Sequence, residues 1–435
     1  MHQSAPAHRP RVLHLAQPVD GGVARVVLDL ARAQLAAGLH VTAACPGGAL
    51  AAGLRELGAD VRDWRAGRSP GPGLPGEVRR FARLVDEVRP ELVHAHSAKA
   101  GLAARLAVRG RVPTVFQPHA WSFEAVGGLT AALALGWERW GARWADRVVC
   151  VSEAERTTGL RAGVRAAYAV IPNGIDTTRF TPLAPQGPHA PQGPQAPQAP
   201  RPPRAHDPQA HGPQAADGGN PLVVCVGRLC RQKAQDVLLA AWPEILVRLP
   251  RARLVLVGDG PDREVLRRQA PPSVRFTGAV ADAAPWYRAA DLVVLPSRWE
   301  GMALAPLEAL ACGAPVVLTD VDGARESLPP ALAAHCLVPP EDPVALAAAV
   351  TGLLADPPLR AALAGEGRRH VLATHDVRHT AERVADLYRE LLGAPGPGRG
   401  APAADDAGGT ARPVPSECRE AAAGVPSECR ESIPS

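Results

Sequence analysis

Two cations and two carboxylates, Arg228, Lys233, Glu300 and Glu308, are the residues of this 435-residue chain best suited to chemistry. Arginine has displaced lysine almost everywhere, leaving only Lys99 and Lys233 among 48 basic residues. A lysine retained in a phosphate-type loop reads as a compact point charge for a phosphate oxygen. Carboxylates on a later βα loop can accept from hydroxyls, so the four together suit a nucleotide-diphosphate sugar. Eight residues is just over two helical turns, so Glu300 and Glu308 can share one face if Glu300 sits at the helical entry. A solvated acidic face is the alternative, but residues 305–313 are too apolar for an exposed helix.

The elements that would position these groups are short β-branched runs alternating with amphipathic or Ala-rich stretches. A first series of strands is expected at 12–15, 40–44, 92–96, 114–117, 148–151 and 169–171. A second is expected at 222–226, 254–257, 274–277, 292–295, 316–318 and 336–338. Continuous rather than alternating apolar runs indicate strands covered on both faces, hence parallel α/β sheets and two Rossmann-like halves. The expected boundaries are an N-terminal domain at 1–181, a C-terminal domain at 220–376 and a helix at 377–392. Residues 182–219 are dominated by Pro, Gln, Ala, Gly and His and cannot build a core, so a disordered linker insertion is expected there. A disordered tail is expected at 393–435, where Val-Pro-Ser-Glu-Cys-Arg-Glu occurs twice, too short a repeat to fold.

A hydrophobic content of 46% in a chain of this length supports two domains. No apolar run approaches the roughly 20 residues of a membrane span and the N-terminus lacks a signal pattern, so a cytoplasmic protein is expected. The eight cysteines show no ligand spacing, which makes them reduced, small hydrophobes and gives no metal site. The net charge of +5 is uneven: residues 1–181 hold 23 Lys/Arg against 15 Asp/Glu, residues 221–392 hold 19 against 20. No basic stripe is interleaved with aromatics, so no nucleic-acid partner is expected, and an anionic acceptor or membrane surface fits the basic half better.

Gly227-Arg228-Leu229-Cys230-Arg231-Gln232-Lys233, followed by Glu300-Gly301-Met302-Ala303-Leu304-Ala305-Pro306-Leu307-Glu308, resembles the retaining family-4 glycosyltransferases of the GT-B fold, of bacterial cell-surface polysaccharide or inositol-phosphate type. Gly258-Asp259-Gly260 and Phe276-Thr277-Gly278 fall between the blocks in the family's order, and the likeness covers most of residues 11–392. The resemblance implies a metal-independent hexosyltransferase without cofactor, using a UDP- or GDP-sugar. Arg228 and Lys233 would neutralise the departing diphosphate, Glu300 would hold sugar hydroxyls, Gly301, Met302, Ala303 and Leu304 would reach phosphate, and Glu308 would accept from the ribose. Two departures stand out: Lys233-Ala234 where the family has Lys-Gly, and Gly301-Met302-Ala303-Leu304 where it has Gly-Phe-Gly-Leu. Alanine at 303 requires a negative φ.

Gly21 and Gly22 follow the first strand and open a helix, leaving bare amides at a positive helix end. An ordinary turn would look the same; the resemblance places Gly22 near donor phosphates and Gly21 on the acceptor side. His119 ends a strand at the crevice edge and matches a family histidine at the donor sugar. His94 and His96 flank Ala95 and are expected to alternate, so that at most one faces the cleft; His96 matches the family's acceptor-side position. Ser152 and the Asn173-Gly174 pair read as cap and turn residues. Trp137, Trp140 and Trp144 recur at helical spacing, either as core or as an interfacial belt beside arginines.

The acceptor is expected to be a glycan, a polyprenyl-linked sugar or a small molecule, with peripheral contact through the N-terminal domain at the inner face of the plasma membrane. A nucleotide-sugar 2-epimerase-like enzyme and a non-catalytic sugar-nucleotide-binding relative share the architecture. The Glu-to-Glu block argues against the first, and Met302-Ala303 is the feature on which the second rests.

Overall fold

Strands that are apolar along their whole length need cover on both faces, and two parallel sheets provide it. The computed structural model describes residues 9–67, 70–183 and 220–393. The first sheet holds β1 (Arg11–Ala16), β2 (His40–Cys45), β3 (Asp60–Asp63), β4 (Leu92–His96), β5 (Thr114–Gln117), β6 (Arg147–Cys150) and β7 (Tyr168–Val170), ordered β3-β2-β1-β4-β5-β6-β7. The second holds β8 (Leu222–Val226), β9 (Arg253–Val257), β10 (Val274–Gly278), β11 (Leu292–Leu295), β12 (Val316–Thr319) and β13 (Leu337–Val338), ordered β10-β9-β8-β11-β12-β13. Strand order reverses beside β1 and beside β8, which opens a crevice at the carboxyl ends of each sheet. β3, absent from the sequence expectation, is an edge strand. Its Asp-Val-Arg-Asp residues are largely exposed, so no apolar run announces it.

Six helices serve the first lobe: α1 (Gly21–Ala36), α2 (Ala49–Glu56), α3 (Leu74–Val88), α4 (Ala98–Val108), α5 (Gly128–Gly141) and α6 (Glu153–Arg161). Seven serve the second: α7 (Gln235–Arg248), α8 (Arg263–Gln269), α9 (Ala284–Ala289), α10 (Leu304–Ala311), α11 (Ala333–Cys336), α12 (Pro343–Ala355) and α13 (Pro357–Thr374). The last, α14 (Val377–Leu391), crosses back and packs on α1 of the first lobe. Its apolar stripe buries Val384, Leu387 and Tyr388 while Asp376 caps its start by accepting from the Arg378 amide. Both lobes and α14 belong to one compact unit. The expected linker, apart from residues 182 and 183, and the expected tail, apart from residue 393, lie outside the described residues.

Two buried ion pairs brace the first lobe. Lys99 meets Glu77 at 2.6 Å, which accounts for the lysine outside the phosphate loop. Arg105 donates to Glu138 at 2.8 Å and stacks over Phe116 at 4.0 Å, tying α4 to α5. Six cysteines fall within the described residues, all free; Cys45, Cys150, Cys225, Cys312 and Cys336 are buried and Cys230 is half-buried. The tryptophan stripe is not core: Trp137 and Trp144 are half-buried and Trp140 is exposed. Trp137, Trp140 and Trp144 pack on one another, with Trp140 and Trp144 centroids 4.4 Å apart, under the Arg143 guanidinium. Among the described residues no single helix is long and apolar enough to cross a membrane.

Candidate active site

The facing loops of the two lobes enclose a cavity of about 370 Å³. From the first lobe Gly21 and Gly22, at the start of α1, and His119, after β5, line it; from the second come Arg228, Lys233, Glu300, Gly301, Met302, Ala303, Leu304 and Glu308. The four charged residues singled out by type and spacing therefore share one pocket. His96 does not line it. It is fully buried behind His119, whose Nε2 lies 3.4 Å from His96 Nδ1. The expected alternation of His94 and His96 is also wrong: residues i and i+2 of a strand point to the same face, and the two rings stack with centroids 4.0 Å apart.

Lys233 ends the β8 loop and donates to Glu300 at 2.5 Å, while Ser297 Oγ donates to the same carboxylate oxygen at 2.7 Å. The intervening Ala234 holds a left-handed φ of 49° as the residue entering α7. A glycine would adopt that conformation without penalty, and here it is held with a fully buried methyl group. Ala303 raises no such conflict: its φ is −71°, so a side chain fits, and it is the residue before α10. Ala303, Leu304 and Ala305 line the cavity, and the first amides of α10 have no intrahelical partner.

Glu300 is not at the helical entry. It lies in the loop four residues before α10, and the two carboxylates share the cavity through loop geometry rather than through a common helix face. Glu308, one turn into α10, accepts from the Tyr287 hydroxyl at 2.7 Å, leaving its other oxygen for a ligand. Burial pushes the Glu308 carboxyl up, against the pull of Tyr287 and of Arg25 and Arg179.

The donor-side loop is held by the opposite lobe. Ser152 Oγ donates to the Gly301 carbonyl at 3.0 Å while also capping α6, and Asn173 Nδ2 donates to the Met302 carbonyl at 2.8 Å. Both residues read as local cap and turn in the sequence; their reach across the cleft is invisible to a local pattern. Gly323, at φ 73°, lets its backbone lie against the same loop: a Cβ there would sit 1.8 Å from the Gly301 oxygen. Three residues on, the Glu326 carboxylate accepts from the Glu153 and Ala154 amides at the start of α6.

His119 and Ala120 both have positive φ, 58° and 106°. Buried Glu155 holds this strained turn, accepting from the Ala120 amide at 2.6 Å and the Val151 amide at 2.7 Å. Burial raises the Glu155 carboxyl to about 7 and lowers the His119 imidazole to about 3, so His119 is neutral at ordinary pH. Arg25, Arg179, Gln232 and Tyr287 also line the cavity and escaped sequence reasoning. Arg25 had a detectable signal, a cation on the first turn of the helix that Gly21 opens.

Only one histidine, cysteine or acid group among the described residues packs tightly enough to suggest a metal: His14, His94 and His96, whose ligand atoms lie within 4.8 Å. His96 stacks on both His94 and His14, and its Nε2 lies 3.0 Å from His14 Nδ1, a hydrogen-bond distance.

Residues 220–356 match the model of the group 1 glycosyl transferases and residues 20–179 that of Glycosyltransferase Family 4. The GDP-mannose-dependent alpha-(1-6)-phosphatidylinositol monomannoside mannosyltransferase of Mycolicibacterium smegmatis is 34% identical, over 72% of this chain and 80% of its own length. The alpha-maltose-1-phosphate synthase of the same organism is 28% identical over 82% and 95%. Among solved structures, Anabaena HepE in complex with UDP and glucose has a TM-score of 0.68 at 22% identity, covering 87% of this chain and 98% of HepE. The sucrose-phosphate synthase of Thermosynechococcus elongatus has a TM-score of 0.70 at 23% identity, covering 88% and 100%. These structures share the fold, two Rossmann-like lobes in the GT-B arrangement. With each lobe matched by its own family model and a mannosyltransferase aligned along most of its length, the chain belongs to glycosyltransferase family 4 and is a sugar-transferring enzyme.

Proposed function

We propose that the enzyme moves a hexose from a UDP- or GDP-sugar to a hydroxyl of a lipid-linked, glycan or small-molecule acceptor, with retention of configuration and without a metal or other cofactor. The observation that carries this reading is the Lys233–Glu300 pair, which lines one cavity with Arg228 and the first residues of α10. In that frame the diphosphate lies against the α10 amides and the two cations, which stabilise it as it leaves. The sugar lies between Glu300 and His119, and the ribose meets Glu308. The acceptor enters over Gly21 and Gly22. The bond from the anomeric carbon to the diphosphate breaks as the acceptor oxygen attacks from the same face through an oxocarbenium-like state. The acceptor proton passes to the departing phosphate. Two carboxylates serve here as anchors, not as the acid and nucleophile of a glycosidase.

A lipid-linked acceptor is favoured by the phosphatidylinositol monomannoside for which the mannosyltransferase relative is named and by the surface of α5. Leu129 is 77% exposed, Leu133 67% and Trp140 44%, and Arg143 stacks on Trp140 at 4.8 Å. This suits peripheral docking at the cytoplasmic face of an anionic membrane. Leu129→Ser with Leu133→Ser should abolish flotation with anionic vesicles at low salt; unchanged flotation would remove the membrane contact.

The deciding experiment screens purified protein against UDP- and GDP-hexoses with and without acceptor extracts, in the presence of EDTA, following nucleotide release and the anomeric coupling of the product. Acceptor-dependent release with a retained anomer is expected. Release of no nucleotide from any donor, an inverted product, or acceptor-independent sugar interconversion would each overturn the reading, the last in favour of an epimerase.

A further inference from the structure

Behind His119 runs a line of polar side chains that the transfer step does not itself use. His119 Nε2 lies 3.4 Å from His96 Nδ1, His96 Nε2 lies 3.0 Å from His14 Nδ1, and His14 Nε2 lies 2.7 Å from Gln34 Oε1. Gln34 Nε2 donates to the Tyr388 hydroxyl at 3.4 Å, and that hydroxyl lies 2.7 Å from His94 Nδ1. His14, His94 and His96 are completely buried, Gln34 and Tyr388 nearly so. The line joins β1, β4 and α1 to α14, so it starts at the donor cavity and ends on the C-terminal helix.

With the Gln34 amide oxygen facing His14, donor and acceptor rules give this line one direction. An amide oxygen only accepts, so His14 Nε2 carries hydrogen; a neutral imidazole has one N–H, so His14 Nδ1 accepts. His96 Nε2 must then carry hydrogen and His96 Nδ1 accept, which leaves His119 to donate through Nε2. Burial keeps the rings neutral, holding His14 near 4, His119 near 3 and His96 well below the usual imidazole range.

We propose that Gln34, His14 and His96 hold His119 as its Nε2–H tautomer, and that Tyr388 anchors the relay by fixing the Gln34 amide, which makes all four positioning residues for sugar transfer. The proposal rests on the reading of His119 as a donor-sugar contact, and its consequence is that docking of α14 sets the ring that faces the donor. A metal held by His14, His94 and His96 is the competing occupant, and it would need the lone pair of His14 Nδ1 that the hydrogen bond from His96 engages.

The test uses the full chain with ¹⁵N-labelled histidine and long-range ¹H–¹⁵N correlation of the imidazoles, His119→Asn identifying the His119 signals. At pH 7.5 the expected pattern for His119, His96 and His14 is Nε2–H. Gln34→Met should turn His119 into a mixture of tautomers and lower kcat about tenfold, the worth of one buried hydrogen bond, with donor KM within about twofold. Tyr388→Phe should shift the same signals and lower kcat about threefold. A Nδ1–H ring at position 119 in the parent would overturn the proposal. So would folded Gln34→Met and Tyr388→Phe proteins with unchanged tautomer and kcat, or one zinc ion per chain in the purified protein. The parent spectrum is decisive even where a variant does not fold. The tautomer is read in the free enzyme, so failure of every donor assay would refute the proposed transfer while leaving the relay to stand or fall by its own spectrum.

Discussion

Replacing Lys233 with methionine keeps most of the stem and removes the ammonium, and its two consequences separate cleanly. Lys233 and Glu300 are 20% and 9% exposed and 2.5 Å apart. Breaking a fully buried pair costs about 3–5 kcal/mol, because one charge is left alone. Here solvent still reaches the lysine and Ser297 still donates to Glu300, which brings the expected loss of stability to about 2 kcal/mol. Turnover should suffer more: a preorganised cation at a developing phosphate charge is worth about 10²–10³ in kcat. Adding Glu300→Gln removes the stranded charge, so the double variant should regain most of the stability and none of the turnover. Urea unfolding and nucleotide release, measured on the parent, both singles and the double, complete the cycle. Turnover in Lys233→Met within fivefold of the parent, or turnover that returns together with stability in the double variant, would refute the assignment of Lys233 to the leaving group.

Three further outcomes follow from the same cleft. Gly323→Ala forces a Cβ into left-handed backbone 1.8 Å from the Gly301 oxygen, and should cost about 2–4 kcal/mol in denaturant unfolding while raising donor KM. Tyr287→Phe removes the donor to Glu308, and should raise donor KM about fivefold with little change in kcat, the loss of one hydrogen bond to a charged group; an unchanged KM would count against Glu308 as a ribose contact. Glu155, pushed up to about 7 by burial, binds its proton more tightly folded than unfolded. Its contribution is full below the ordinary glutamate value and is lost as pH rises through 7. The stability of the parent relative to Glu155→Gln should therefore grow by about 2–3 kcal/mol between pH 8 and pH 5, and a difference flat with pH would refute this.

Much of the architecture was legible because parallel strands buried on both faces write continuous apolar runs, as at Leu222–Val226 and Leu292–Leu295. Every expected strand occurs, while β3 hid because an edge strand needs no such run. The donor side was legible for a different reason: Arg228, Lys233, Glu300 and Glu308 sit at fixed offsets from strand ends, and a strand end is where a Rossmann-like crevice opens. What stayed hidden depends on pairs of distant residues. Ser152 meeting Gly301, Glu155 meeting Ala120 and Gln34 meeting His14 each look like cap, helix or core when read alone. The error at His94 and His96 was one of geometry, since the period of a strand puts them on one face.

The crossover of α14 has a consequence for how this protein is made. Tyr388 and Glu390 reach back to His94 and Arg147, residues translated almost 300 and 250 positions earlier. A ribosome that has finished β7 has therefore not yet supplied the last layer of the lobe to which β7 belongs, and the face of α1 stays uncovered until the second lobe and then α14 have emerged. The first lobe to be synthesised is the last to be completed, and a message cut short before codon 377 would yield a second lobe with all of its own helices beside a first lobe still missing its lid.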